Sequence, residues 1–236
     1  MRILAGFMSF VAGVFLVGTA VAGSVVLTFD VNNLGTSTWG TYNTTKQFEG
    51  EGGNPGACVK FHGIGGLGGS FANNGFTGDF AAAGFTRISM DIKTVQWVLR
   101  PDNSNPKGYI FARYDDAHWP WCKEIADFDP VSGGYRTYSV DFNPGWTDAE
   151  AQANGWAVVT GYGDGATTSF GNTFHHVHQT GFWVQGVSDG AQCSVLVDNW
   201  KLGPSGQGVK TIQKPVKMDP KRRVQPFPVL PRSQIK

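Results

Sequence analysis

Side chains able to do chemistry concentrate in one stretch, Tyr114-Asp115-Asp116-Ala117-His118-Trp119-Pro120-Trp121-Cys122. Trp119 and Trp121 stand two residues apart with Pro120 stiffening the link, and Asp115, Asp116 and His118 supply hydrogen-bonding groups beside them. Sugar sites use this combination, because the apolar face of a pyranose stacks on a ring while its hydroxyls seek paired polar groups. The competing reading is that both rings cap a core, as large aromatics commonly do. A second group, Trp39, Tyr42 and Asn43, lies in what reads as the first long loop, and Asn43-Thr44-Thr45 meets the glycosylation sequon.

Other constellations carry less. In His175-His176-Val177-His178 an extended chain would turn His176 and His178 to one face, suiting two ligands of a transition metal. No third ligand is near, so a metal-free surface segment is the favoured reading. Glu124, Asp127 and Asp129 raise glycoside hydrolysis, since retaining enzymes need two carboxyl groups about 5–5.5 Å apart and alternate strand residues can approach that separation. Their spacing departs from the Glu-x-Asp-x-x-Glu run of retaining beta-glucanases, and Asp129-Pro130 reads as a turn, which favours solvated loop carboxylates. No Gly-x-Ser-x-Gly elbow, phosphate loop or His-Glu-x-x-His occurs, so esterase, nucleotide and zinc-protease chemistry lack support.

The elements that must position these residues are strands. Glycine, 33 of 236 residues, is about twice ordinary usage, which excludes a helical bundle and implies many tight turns. Short runs rich in Val, Ile, Phe, Tyr and Trp alternate with Gly, Asn, Asp and Pro clusters, and predict strands over 24–29, 57–63, 85–99, 108–114, 135–142, 156–161, 180–187 and 194–202. That set predicts an all-β, two-sheet antiparallel sandwich of the jelly-roll kind. One segment reads as a short surface helix: Thr147 with Glu150 three residues on forms a capping box, and Asn154-Gly155 stops it. A helical turn over 76–84 is a weaker expectation because of its glycines.

The chain divides by charge. Residues 1–22 carry Arg2, an apolar run and a final Ala20-Val21-Ala22, the small-x-small pattern of a signal-peptidase site, which predicts export with cleavage after Ala22. From 23 to 203 there are 10 Lys and Arg against 17 Asp and Glu, a net of −7; from 204 to 236 there are 8 basic residues against Asp219 alone, a net of +7. That Pro-containing, aperiodic tail reads as disordered and suited to an anionic surface or to the acidic body itself. An exported chain permits disulfides, yet three cysteines, Cys58, Cys122 and Cys193, leave one over. Cys58 and Cys193 each open a predicted strand and are one candidate pair, with the connectivity left open.

The order of pieces resembles the galactose-binding-domain-like jelly rolls, which include extracellular carbohydrate-binding modules and laminin IV domains. The likeness spans about 24–203 and rests on Leu27-Thr28-Phe29-Asp30, on Gly53-Asn54-Pro55-Gly56 leading into a strand, on 76–84 before a long strand, and on Leu196-Val197-Asp198-Asn199-Trp200-Lys201-Leu202. In many such modules the first and last strands hold a structural calcium ion, and the resemblance places that role on Asp30 and Asp198. The expectation is therefore a secreted or cell-surface binding module for an extracellular glycan, with Asp115, Asp116, His118, Trp119 and Trp121 as its site and no role in nucleic-acid binding. A structural or adhesive protein working through the basic tail is the alternative, and a small hydrolase using Glu124, Asp127 or Asp129 the third.

Overall fold

The computed structural model describes residues 23–27, 29, 36–38, 45–71, 76–98, 106–129, 133–160, 165–185 and 191–205. The expected leader, Asp30, the group of Trp39, Tyr42 and Asn43, and the tail beyond Ser205 lie outside them.

In chain order the elements are β1 (Val25–Leu27), β2 (Thr36–Thr38), β3 (Thr45–Gly53), β4 (Gly56–Ile64), β5 (Leu67–Phe71), β6 (Arg87–Gln96), β7 (Lys107–Arg113), β8 (Trp121–Glu124), β9 (Arg136–Asp141), α1 (Asp148–Ala153), β10 (Trp156–Val158), α2 (Phe170–His175), β11 (Gln179–Gln185) and β12 (Gln192–Gly203). They form two antiparallel sheets. The first runs β3-β4-β12-β6-β9, with β1 also on β12, and the second β10-β8-β7-β11-β5-β2. Val25 pairs with Leu202, so the first described strand lies against the last.

Alternation builds the core. Each strand of a sandwich sends successive side chains to opposite faces, so one face meets the other sheet. On β12, Cys193, Val195 and Val197 point inward, and strict alternation would next bury Asn199 and Lys201. A register shift between Asp198 and Lys201, with Asn199 at φ 49°, resets the phase so that Trp200 and Leu202 face the core instead. Trp200 stacks on Phe71 of the second sheet at 4.4 Å between centroids and donates its indole N–H to Thr180 Oγ1 at 3.1 Å. Phe61 meets Phe182 edge-on at 5.2 Å, tying the sheets together again.

A second aromatic layer closes one end. α1 keeps the expected capping box: Glu150 N–H donates to Thr147 Oγ1 at 3.3 Å and Thr147 N–H to Glu150 Oε2 at 2.8 Å. Asp148 of α1 accepts the N–H of Phe170 at 2.7 Å, seating α2 beside it. One turn apart on α2, Phe170 and Phe174 pack on Phe142, Trp121 and Trp156 with centroids 4.5 to 5.5 Å away. The stretch 76–84 makes a single turn, with Asp79 Oδ1 accepting from Ala82 N–H at 2.9 Å, and no helix.

On the outer side of the first sheet two acids stand opposite one another, Asp91 on β6 and Asp198 on β12, both buried. The tip of the β3–β4 hairpin covers them. Asn54 donates its backbone N–H to Asp198 Oδ2 and its side-chain amide to Asp91 Oδ2; Asn199 donates its N–H to Asp198 Oδ1 and its amide to Asp91 Oδ2; Thr137 Oγ1 donates to Asp91 Oδ1. Both oxygens of Asp198 accept N–H donors, and Asp30, its expected partner at a calcium ion, lies outside the described residues. No group of three or more His, Cys, Asp or Glu among the described residues is arranged to hold a metal.

The candidate Cys58–Cys193 pair does not form. Their strands are neighbours, but Cys193 sits opposite Gly63, five positions along β4 from Cys58, about 17 Å at strand rise. All three thiols are free and buried; burial pushes the Cys193 thiol up to about 11 and raises Cys122 well above its ordinary value. The three cysteines of the chain should therefore react with Ellman's reagent only after denaturation, with the unfolding midpoint unmoved by reductant; one reactive thiol in denaturant would reveal a bridge. Trp200→Ala, which empties the centre of the core, should cost about 3–5 kcal/mol in chemical denaturation.

Candidate functional site

The outward face of the second sheet carries an unusual set of residues. A sheet covered on one side by its partner is expected to turn polar side chains outward. Here β7 and β11 are apolar on both sides: Ile110, Ala112, Phe182 and Val184 face the core, while Tyr109, Phe111 and Trp183 face outward. Tyr109 and Trp183 are register partners with rings stacked at 4.8 Å and 22°. Phe111 faces Gly181, and its ring folds so closely over that glycine that a Cβ there would stand 2.3 Å from Cζ. Trp183 is only 6% exposed and Phe111 fully buried, so these rings form a small packed cluster outside the main core, and Tyr109 is the one half-buried ring of the three.

Polar groups frame the rings at both ends. At one end Gln185 Nε2 donates to Tyr109 Oη at 3.1 Å, Tyr109 donates to Glu124 Oε2 at 3.4 Å, and Lys107 pairs with the same oxygen at 2.9 Å. Burial first, and the Glu124 charge after it, raise the Tyr109 phenol above its ordinary value, so it stays protonated and able to donate. At the other end Arg113 Nε donates to the His118 carbonyl at 2.7 Å, and Gln179 Nε2 to Asp116 Oδ1 at 2.9 Å. From Lys107 to Arg113 the face runs six residue steps, about 20 Å.

Arg113 folds the loop 114–119 over that second end, and the loop holds most of the sequence-derived site. Asp115 Oδ1 accepts from Ala117 N–H at 2.8 Å and from His118 Nδ1 at 2.5 Å. Asp116 meets Arg113, Gln179 and, at 3.8 Å, His178 Nε2. Trp119 is half-buried on the 165–166 backbone: its N–H donates to the Ala166 carbonyl at 2.9 Å, and a Cβ on Gly165 would stand 2.4 Å from its Cδ1. Tyr114 sets its ring edge-on to His118 at 5.0 Å and to His176 at 5.8 Å.

Trp121 is not part of this group. It is 1% exposed, packs on Phe170 and donates its indole N–H to the Thr168 carbonyl at 2.9 Å. Two residues apart share a face only within one strand, and β8 begins at Trp121, leaving Trp119 in the loop. The carboxylates considered for hydrolysis are separately engaged or placed: Glu124 with Lys107, Asp129 with Arg136 at 3.2 Å, and Asp127 in a turn at φ 56°. The histidines divide likewise, His175 to Asp79 at 3.2 Å, His176 to the Asn172 carbonyl and His178 to Asp116.

Tyr109, Phe111, Trp183 and Gln185 escaped sequence reasoning because their strands look like fully buried ones. The available signal was that aromatics at consecutive alternate positions of a two-layer sandwich cannot all face the core.

No protein-family model matches the chain, and neither does any curated protein sequence. Solved structures do. The family 11 carbohydrate-binding module of the cellulosomal cellulase Lic26A-Cel5E of Clostridium thermocellum matches with a TM-score of 0.50 at 15% identity, over 79% of this chain and 97% of that one. A family 11 module from Clostridium thermocellum in complex with a beta-1,3-1,4-mixed-linked tetrasaccharide matches with a TM-score of 0.50 at 15% identity, over 79% and 98%. The solution structure of CtCBM11 gives 0.50 at 16% identity, over 80% and 98%. The chain shares their β-sandwich fold, as its resemblance to jelly-roll binding modules implied.

His118 first, with the Ala117 N–H, holds the Asp115 carboxyl below its ordinary 3.8. A carboxylate depressed in the folded state contributes stability above its ordinary value and loses it as pH falls through the lowered one. Carbon-detected titration should therefore place Asp115 below 3.8, and His118→Ala should move it upward. An unmoved midpoint would dismiss the pair as the cause.

Proposed function

We propose that this chain is a carbohydrate-binding module acting outside the cytoplasm, with a polysaccharide lying along the outer face of the second sheet toward the 114–119 loop. One observation carries the reading: on the outer side of the second sheet the half-buried Tyr109 rests on the buried Trp183, with Phe111 buried behind it, and polar groups frame this cluster, Gln185, Glu124 and Lys107 at one end and Arg113, Gln179 and Asp116 at the other. Tyr109 and Trp119, the two half-buried rings, with amides and charges around them, match a chain of pyranoses, whose C–H faces stack and whose hydroxyls pair with polar groups. At about 20 Å the face accommodates several sugar units rather than one. Trp119, Asp115 and His118 extend it at the rim.

The tetrasaccharide bound by the family 11 module makes a mixed-linkage beta-glucan the first ligand to try here. Export fits the apolar, small-residue-terminated start of the sequence. The separate engagement of Glu124 and Asp129 supports binding without hydrolysis.

Affinity electrophoresis in gels containing mixed-linkage beta-glucan tests the reading. The wild type should be retarded, and Tyr109→Ala and Trp119→Ala should each weaken retention about tenfold, the loss of one stacking contact with its ordering. Circular dichroism should show the fold intact. Retention unchanged in both variants would move the ligand to another surface, and a wild type retained by no beta-glucan would remove that ligand class.

A further inference from the structure

We propose that the outer face of the first sheet is a second, independent binding surface, and that its ligand is a polyuronate, a polysaccharide bearing carboxylates on its sugar rings. Register places Gln47, Lys60, Leu196 and Lys93 side by side across β3, β4, β12 and β6. Tyr135 ends the row, its ring centroid 5.9 Å from Lys93 Nζ. In the adjoining row Ser194 faces His62 on one side and Gln96 on the other. Lys60, Leu196, Lys93, Tyr135 and His62 are all half-buried, so their stems lie along the sheet.

The charges on this face are unspent. Arg87, Lys107, Arg113 and Arg136 each have a carboxylate partner. Among the described residues neither Lys60 nor Lys93 has a carboxylate partner; Lys93 lies near the Tyr135 ring and acts electrostatically on the Cys58 thiol. The nearest acids are one row away: Glu49 at the edge, and Asp91 and Asp198, whose oxygens accept donors from Asn54, Asn199 and Thr137. Two cations without an ion-pair partner, on a body of net −7, are a local feature of this face.

The spacing selects the ligand. Lys60 and Lys93 are two strand spacings apart, about 10 Å, with Leu196 between them. Two separated point charges suit two carboxylates along a chain better than one small anion. Leu196 and Tyr135 offer apolar contact to the intervening ring, and Gln47, Gln96 and His62 offer partners for hydroxyls. A nucleic acid is disfavoured, because its dense phosphates call for many cations and would be repelled by the acidic body.

The test uses the full chain and its Lys60→Gln/Lys93→Gln double variant, which keeps the stems and removes the charges. Polygalacturonate and neutral mixed-linkage beta-glucan serve as gel ligands at physiological salt. The double variant should lose about tenfold in polygalacturonate retention, as two solvent-screened contacts predict, with no change on the neutral glucan. Leu196→Ala should weaken polygalacturonate retention in the same direction. Full retention by the double variant would overturn the proposal and assign the binding to the basic tail. So would a wild type that ignores polygalacturonate, or one that binds a DNA duplex as well and with the same lysine dependence. Retention on the neutral glucan reports separately on the second sheet, so the two readings fail independently.

Discussion

Two carboxylates face each other across the middle of the first sheet, out of water, and five N–H and O–H donors converge on their four oxygens. Buried acids without such donors would cost more than the pairing supplies. Asn199 connects this requirement to the core, since it donates twice to the acids and is also the residue at which β12 slips its register. The slip turns Trp200 inward to Phe71 and Thr180. Thr180 in turn lies on β11 between Gln179 and Gly181, both on the outer face of the second sheet. A polar arrangement on one surface of the molecule thereby sets the strand on which the opposite surface presents its aromatic layer.

The aromatic rings on the outer side of the second sheet form a packed cluster of their own, apart from the core between the sheets. Phe111, Trp183 and Tyr109 add nothing between the sheets, and their outward position calls for glycine at 181 so that a ring can lie flat. Strands apolar on both sides are the ones a fold would avoid in a two-layer sandwich unless the outer side had its own use. The polar frame holds these rings in place, with Glu124 gathering both Lys107 and Tyr109. A rigid, prepositioned surface reduces the ordering cost of binding a flexible polymer.

Much of the architecture was legible in the residues. Alternation located the long strands, including most of β4 and of β12, and the Thr147/Glu150 capping box located α1 with its stop at Asn154. Strands β3 and β5 were missed because Thr45–Gly53 and Leu67–Phe71 are rich in glycine, which local preference assigns to turns. Their neighbours impose extension on them. Helix α2 was missed because Gly171, Thr173 and His175 are weak helix formers; its place is set by Phe170 and Phe174 entering the aromatic layer. At the site, the loop chemistry of Asp115, Asp116, His118 and Trp119 could be read from proximity in sequence. The pairing of Tyr109 with Trp183 could not, because it depends on which distant strands become neighbours.

The chain enters through β1 and leaves past β12, and Val25 lies directly against Leu202. Ser205 then ties the exit down, its N–H on Thr86 Oγ1 and its hydroxyl on Asp141 Oδ1 at 3.1 Å. Tension applied between the two ends is therefore carried by a short antiparallel contact and a hydroxyl anchor at one corner. It does not run through the aromatic interior. A pull on both ends therefore opens that corner first, while the packed core behind it keeps its shape.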